Sequence, residues 1–369
     1  MNKNLKEVAA LFFKLGSIAF GGPAAHIAMM EDEVVKKRKW MTHQHFLDLV
    51  GATNLIPGPN STEMTMHCGH ERARWKGLLV AGACFIFPAV TITMVFAWLY
   101  EQYGQLPKVE PFIYGIKPAV IAIILAAVYR LGLKALKNIS LGVLGLLTLT
   151  ACLLGVHEIL ALFACGFLGL ILHFIRTSKN NLHSFAPFAL LQVAISASNL
   201  KILLTFLKVG ALLYGSGYVL FAYLDAELVN TGLLTRQQLI DAVAVGQFTP
   251  SPVLSTATFI GWQLNGFWGA MAATVGIFLP SFVFVAILNP LVPKMRKSKT
   301  IAAFLDAVNI AAVAVIIAVC IEMGKDTLTD WRSIVIAVIS IIVVFVFKKV
   351  NSAFIVIGGA LMGYLLTFL

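Results

Sequence analysis

The stretch LDLVGATNLIPGPNST, residues Leu47–Thr62, carries two prolines around a glycine inside an otherwise apolar segment. A second stretch, IDAVAVGQFTPSPVLST at Ile240–Thr256, repeats the pattern, with prolines again one residue apart at Pro250 and Pro252. Two prolines so close together cannot sit in a helix interior without freeing backbone groups. In lipid such a break survives only where protein or a water-filled cavity satisfies those groups. Matched breaks in two halves of a chain are typical of transporter binding sites.

The composition indicates a membrane protein. The chain has 369 residues, of which 59% are hydrophobic and 12% charged, and its mean hydropathy is +0.88. Soluble domains carry about 25% charged residues, so this chain is too poor in charge to be one. Apolar runs of roughly 20 residues, long enough to cross a bilayer, recur along its length. The sequence therefore predicts an all-α polytopic membrane protein in a lipid bilayer, and the alternating pattern of barrel strands is absent.

An internal repeat organises the chain. FFKLGSIAFGG at Phe12–Gly22 matches FLKVGALLYGS at Phe206–Ser216, which pairs Lys14 with Lys208. A match kept in order over many residues is most economically explained by duplication. The predicted domains are a first transmembrane repeat at 1–176, a linker at 177–200 and a second transmembrane repeat at 201–369. Broken or re-entrant helices are predicted at Gly-Gly-Pro and Gly-Ser-Gly and at Pro-Gly-Pro and Pro-Ser-Pro.

The distribution of basic residues predicts how the halves sit in the membrane. The net charge is +11, which falls mostly in short loops and so indicates topology rather than nucleic-acid binding. With the loop Glu31–Lys39 in the cytoplasm, eighteen Lys and Arg lie inside and four outside. This places the matching loop Asp225–Arg236 outside, so the repeats are inverted in the plasma (inner) membrane. The same scheme puts the N-terminus, with Lys3 and Lys6, outside.

Three lysines lie within predicted spans, where a charge is costly and usually functional. Lys14 and Lys208 occupy matching positions of the two repeats. If they bind substrate, they meet near the symmetry axis; the alternative is that they extend to opposite surfaces of the membrane. Lys117 has Asn309 as its mate, and no acid lies within about a helical turn of it. An anion in the cavity is therefore a candidate partner for Lys117.

The helix breaks offer a second source of positive potential. A half-helix that starts after a break points free N–H groups and the positive end of its dipole at the cavity. Together with nearby amides and hydroxyls this predicts an anion site, whereas prolines used only for packing would simply kink the helices. The predicted substrate-binding residues at the breaks are Gly21, Gly22, Pro23, Asn54, Pro57, Gly58, Pro59, Asn60, Ser61, Gln247, Thr249, Pro250, Ser251 and Pro252.

Acidic residues near these positions are candidates for proton coupling, namely Glu33, Asp48, Glu63, Asp225, Glu227 and Asp241. Glu33, Asp48 and Asp241 are the three we select, although Asp48 and Asp241 are also placed to cap helix starts. Glu63 and the histidines and cysteine of the polar segment His67–Lys76 have helical spacing but no second ligand group. We interpret that segment as a solvated loop rather than a metal site, and predict no metal and no cofactor.

Three motifs resemble a known family. FGGPAAHIAMMEDEVV at Phe20–Val35, IPGP at Ile56–Pro59 and GIKPAV at Gly115–Val120, within a duplicated chain, are similar to the chromate transporter family. The resemblance covers both halves and implies efflux of chromate, a tetrahedral oxyanion, with sulfate as the nearest alternative. Family members of this kind are fused two-half chains or pairs of single-half chains.

Other functions receive less support from the sequence. No G-x-x-x-x-G-K-[ST] motif is present, so ATP-driven transport by this chain is not expected. No H-E-x-x-H or G-x-S-x-G motif indicates an intramembrane enzyme. A proton-coupled carrier of another small solute stays open as an alternative, and a homodimer is a candidate assembly.

Overall fold

The computed structural model describes residues 3–18, 23–53, 56–104, 106, 109–177, 199–214, 217–249, 253–288, 299–347 and 350–368. These residues form fourteen α-helices and two π-helical turns and contain no strands. The first half comprises α1 Lys3–Ile18, α2 Pro23–Glu31, π1 Asp32–Lys37, α3 His43–Thr53, α4 Asn60–Tyr103, α5 Glu110–Ala135, α6 Ile139–Leu153 and α7 Glu158–Thr177. The second half comprises α8 Asn199–Leu212, α9 Val219–Leu224, π2 Asp225–Val229, α10 Arg236–Phe248, α11 Thr256–Leu288, α12 Lys299–Thr327, α13 Trp331–Val346 and α14 Ser352–Leu366.

The α-helices and π-helical turns of the two halves follow the same order, as a duplication predicts, and the second half has one further 3-10 turn at Val253–Ser255. Among the described residues, five helices are long and apolar enough to cross a membrane, namely α4, α5, α7, α11 and α12. The shorter helices α6, α13 and α14 are also strongly apolar. These findings confirm the predicted all-α polytopic class.

The helices α4 and α11 each reverse direction at a tight turn. Non-helical residues with φ of 54° at Arg74 and 55° at Gly266 divide each helix into two arms. Because glycine has no side chain, the backbones of the two arms approach closely, as small residues allow in membranes. Each pair of arms touches through two glycines: Gly69 with Gly77 in the first half and Gly261 with Gly269 in the second.

The helix α3 and the first arm of α4 form a re-entrant pair around the first proline break. His45 Nε2 near the start of α3 lies 3.4 Å from Glu71 Oε2 near the end of the first arm. Both ends of the pair therefore lie on one side of the bundle. Residues 56–59 between them are not helical.

The first helix, α1, also begins on that side. The Glu7 carboxylate lies 2.6 Å from the Arg72 guanidinium, which places the start of α1 beside the turn of α4. Gly16, near the other end of α1, packs against the backbone of Phe85, which is near the middle of the second arm of α4. The helix α1 therefore reaches only about halfway along that arm.

This geometry corrects the predicted position of the N-terminus. The guanidiniums of Arg38 and Arg72 lie 5.8 and 5.4 Å from the centre of the Trp40 ring, so the basic loop shares the end where α1 begins. The prediction that Lys3 and Lys6 lie outside was wrong, because the apolar segment Val8–Met30 is two short helices and not one span. Both lysines join the basic side, which strengthens the charge asymmetry.

The second half has the opposite orientation. Trp262 Nε1 donates a 2.8 Å hydrogen bond to Glu101, near the far end of α4 from Arg74. Asn265 in the turn of α11 donates a 2.6 Å hydrogen bond to Asn199, where α8 begins. The turn of α11 and the start of α8 therefore lie at the end of the bundle opposite the turn of α4, as inverted repeats require.

The predicted domain bounds stay a prediction. The helix α7 ends at Thr177 and α8 begins at Asn199. Residues 178–198, most of the predicted linker, lie outside the described residues.

Candidate functional site

Part of the predicted site lies outside the described residues, and for two further positions only the helical backbone is described. The positions outside are Gly21, Gly22, Asn54, Pro250, Ser251 and Pro252, and those with backbone only are Pro23 and Asp48.

The first proline break contacts the second half of the chain. The backbone N–H of Gly58 donates a 2.7 Å hydrogen bond to the carbonyl of Leu213, just after α8. Gly58 has φ of 137°, a conformation that favours glycine. A Cβ at Gly58 would collide with the carboxyl oxygen of Glu63 and the hydroxyl of Ser281. The glycine therefore lets the break pack against both polar side chains in the buried centre of the molecule.

The first arm of α4 begins at this centre. Pro59 precedes the helix without a side-chain cap, and its carbonyl accepts hydrogen bonds from the amides of Thr62 and Glu63. Asn60 and Ser61 form the start of the first turn, and Ser61 is buried. A helix that starts in a buried place presents backbone donors and the positive end of its dipole there. These groups suit a bound anion.

Polar side chains lie next to the second proline pair. Gln247 and Thr249, at the end of α10, are both buried. The Thr249 hydroxyl donates to the carbonyl of Gly246 at 3.1 Å and lies 3.0 Å from the Ser255 hydroxyl. These side chains flank residues 250–252, so the described residues on both sides of the second break supply hydrogen-bonding groups.

Lys117 pairs with an acid from the other half. Its Nζ lies 3.4 Å from Asp241 Oδ1, and the Tyr100 hydroxyl donates a 2.6 Å hydrogen bond to Asp241 Oδ2. The exposed fractions of the side chains are 16% for Lys117 and 5% for Asp241. The cluster joins α5, α10 and the second arm of α4. No acid lies near Lys117 in the sequence, and its partner in the structure is distant in the chain. Its repeat mate Asn309 is half-buried on α12.

Asp241 does not cap a helix. Thr235 is the N-cap of α10, and its hydroxyl accepts from the amide of Gln238, whose side chain accepts from the Thr235 amide in return. Asp241 lies in the second turn, beyond the reach of the free N–H groups. The capping interpretation was therefore wrong for Asp241.

Lys14 and Lys208 each pair with a glutamate of their own half. Lys14 Nζ lies 3.5 Å from Glu33 Oε1, and Lys208 Nζ lies 2.6 Å from Glu227 Oε1. The lysines therefore neither form the central pair considered from the sequence nor extend to the surface without a partner. Both glutamates lie in π-helical turns, which often mark functional positions. Glu227 occupies the position in the second half that matches Glu33 in the first.

Further cations surround Glu33. Lys37 Nζ and Arg38 Nε each lie 3.3 Å from its carboxylate. Burial disfavours the charge on Glu33, but the hydrogen bond from Lys37 and the charges of Lys14 and Lys37 outweigh burial and hold its pKa below the ordinary value. This carboxylate is accordingly ionised at neutral pH.

The first arm of α4 is buried and not a solvated loop. Glu63, His67 and Cys68 have exposed fractions of 0%, 1% and 0%, and the arm stays helical to Arg72. The solvated-loop interpretation was wrong for these residues, since a re-entrant arm is enclosed by protein and so tolerates polar side chains. Across the part of the chain that the structure describes, no group of three His, Cys, Asp or Glu is placed to hold a metal ion.

Comparisons with known proteins agree with this architecture. A family model described as Chromate transporter matches the chain twice, at residues 6–170 and 200–364. A chromate transport protein of Cupriavidus metallidurans is 29% identical over 97% of this chain and 92% of its own length. A chromate transport protein of Pseudomonas aeruginosa is also 29% identical, over 97% of this chain and 92% of its own length.

A shorter relative matches one half only. An uncharacterized transporter of Bacillus subtilis is 24% identical over 129 residues, which is 35% of this chain and 72% of the relative. No solved structure matches the chain. Because the family model covers both halves of a multi-pass helical membrane protein, the chain belongs to the chromate transporter family.

Proposed function

We propose that the protein is a secondary transporter that exports chromate across the plasma membrane and so confers chromate resistance. The observation that carries the proposal is the buried pair of Lys117 and Asp241, which bridges the two halves at 3.4 Å. A buried ionisable group in a membrane protein is a functional candidate by default. The relatives named as chromate transport proteins supply the substrate class.

The loose geometry of the pair suits exchange of partners. A charge-assisted N–H···O bond measures about 2.7–2.9 Å. Asp241 therefore holds Lys117 in place without a tight hydrogen bond. An incoming oxyanion takes the place of the Asp241 carboxylate at the ammonium, while Tyr100 continues to donate to Asp241. The anion thereby gains a charge partner, while Asp241 loses its cation and keeps the hydrogen bond from Tyr100.

The helix breaks supply the remaining contacts in this proposal. The start of α4 at Asn60 and Ser61 offers backbone donors, and the buried Gln247 offers its side-chain amide from the other half. In this proposal, Lys117 and these groups line one path between the two halves. A tetrahedral oxyanion, with acceptors in every direction, can use donors that come from several sides.

The repeated lysine–glutamate pairs provide the gates. The pair of Lys14 with Glu33 lies in the half that enters from the basic side, and the pair of Lys208 with Glu227 lies in the inverted half. Opening one pair while the other stays closed would expose the centre to one side at a time. Of the acids predicted to couple protons, Glu33 and Asp241 form ion pairs with lysines. We therefore assign both acids the role of exchangeable ion-pair partners and not of proton carriers. Asp48 stays a coupling candidate from the sequence.

Export follows from the charge of the substrate. The basic side corresponds to the cytoplasm by the positive-inside rule. A dianion that leaves a cell with a negative interior gains about 4.6 kcal/mol per 100 mV. The path lies within one chain, so a homodimer, which stays a prediction, is not required.

Uptake of radiolabelled chromate into inverted membrane vesicles tests this function. We expect vesicles with the protein to accumulate chromate when their lumen is positive, and unlabelled chromate to compete better than sulfate. If sulfate competes equally, the site is a general site for tetrahedral dianions. Uptake equal to that of vesicles without the protein contradicts the proposal.

A further inference from the structure

We propose that Glu63 binds one proton together with each transported dianion, so that the protein moves a proton and an oxyanion in the same direction. This inference rests on the proposed anion site at the start of α4. It assigns a proton site to a residue that the anion path, as described above, does not use.

The position of Glu63 is fully enclosed. Its exposed fraction is 0%, and its carboxyl faces the α-carbon of Gly58 and the Ser281 hydroxyl. No ion pair of Glu63 occurs among the residues that the structure describes. When the proline pairs of the two halves are aligned, the residue matched to Glu63 is Thr256, which is not an acid. The acid therefore belongs to one half only, which sets it apart from the duplicated framework.

The ionisable neighbours of Glu63 do not neutralise it. Tyr214 follows Leu213, whose carbonyl accepts the hydrogen bond from Gly58. His67 is buried one turn further along the same helix. Neither provides a permanent positive charge. A carboxylate buried without a cation is strongly disfavoured, so Glu63 holds its proton in this conformation.

The place of Glu63 in its helix links this proton to the anion. It lies in the first turn of α4, where an ionised carboxylate would itself occupy the positive end of the helix dipole. It would also repel an oxyanion bound at the same helix start. Protonation removes both effects, so proton and dianion each favour the binding of the other.

The cycle balances in protons and charge. On one side, a water-borne proton forms an O–H bond with the Glu63 carboxylate, and the dianion then binds to this protonated, substrate-free protein. The same proton returns to water on the other side when the dianion leaves. Each cycle then moves one net negative charge instead of two.

Proteoliposomes with an imposed pH gradient test the proposal. The membrane potential is clamped near zero with potassium and valinomycin, labelled chromate is equal on both sides, and both compartments are alkaline enough to keep chromate a dianion. With one pH unit between the compartments, we expect wild-type protein to concentrate chromate on the more alkaline side, approaching tenfold.

Three variants separate the role of the acid from a general loss of function. Glu63→Gln should still exchange labelled chromate between equal pools but should not accumulate it. Glu63→Asp keeps a proton site and should retain accumulation. Glu110→Gln, which removes an exposed acid on α5, should behave as wild type. Accumulation by Glu63→Gln, or accumulation on the acidic side by wild type, overturns the proposal.

An infrared measurement on substrate-free protein separates this proposal from the proposed function. Wild-type protein near neutral pH should show the C=O stretching band of a protonated, buried carboxylic acid, and Glu63→Gln should lose that band. Absence of the band in wild type contradicts protonation of Glu63. A band without any exchange of chromate by wild type would keep the proton site and refute the chromate assignment.

Discussion

Replacement of Lys117 by glutamine would separate its structural role from its role in binding. The change leaves the Asp241 carboxylate buried without its cation. Removing one partner of a buried pair costs about 3–5 kcal/mol, and the 3.4 Å separation and 16% exposure of Lys117 favour the lower end, about 3 kcal/mol. We therefore expect purified Lys117→Gln to melt at a lower temperature than wild type.

The double variant Lys117→Gln with Asp241→Asn is the matched control. It removes both charges, so no carboxylate is left unpaired, and we expect it to recover most of the lost stability. Transport should not recover. A hydrogen bond from a charged donor contributes about 1.5–3 kcal/mol, which corresponds to a loss of chromate affinity on the order of 10- to 100-fold.

Two assays decide the outcome. Thermal unfolding in detergent measures the stability of each variant, and uptake of labelled chromate into inverted vesicles measures KM and maximal rate. Lys117→Arg should lose less activity than Lys117→Gln, since it keeps the charge but not the compact ammonium. Transport by the double variant at the wild-type rate and affinity would refute a role for the Lys117 charge in binding the anion.

Two further predictions concern the break and the topology. Gly58→Ala should lower the free energy of unfolding by about 2–5 kcal/mol, because of backbone strain and overpacking, and should abolish chromate resistance. The control Gly232→Ala, at a glycine with φ of 73° and nothing within 4 Å, should lower it by about 1–2 kcal/mol. Equal melting temperatures of the two variants would contradict the close approach at Gly58. Reporters inserted after Lys39 and after Gly232 should appear on opposite sides of the membrane, and reporters on the same side would contradict the inverted halves.

The repeat and the helix breaks could be predicted because they depend on local chemistry. Two prolines one residue apart disfavour a continuous helix, and residues 56–59 are not helical. Glycines that permit close packing recur at matched positions: Gly16 packs on Phe85, and its mate Gly210 packs on Ile277. The structural roles of these prolines and glycines can therefore be predicted from the sequence alone.

Tertiary pairs and depth in the membrane could not be predicted in the same way. Lys117 and Asp241 belong to different halves, and no periodicity of the sequence links them. The helices α1 and α2 together read as one apolar span, because hydropathy does not show where a chain turns back. The polar residues in the first arm of α4 indicate a solvated loop when only the sequence is considered, although neighbouring helices bury this arm.

The central claim is that the breaks of both halves line one anion site, and protection of introduced cysteines tests it most directly. Cysteines at Asn60, at the start of α4, and at Ser251, which lies outside the described residues, are placed in a chain whose five native cysteines have been replaced. We predict that a small hydrophilic thiol reagent labels both positions and that chromate slows labelling at both. Labelling that chromate leaves unchanged at both positions would contradict a shared site and would limit the prolines to a role in packing.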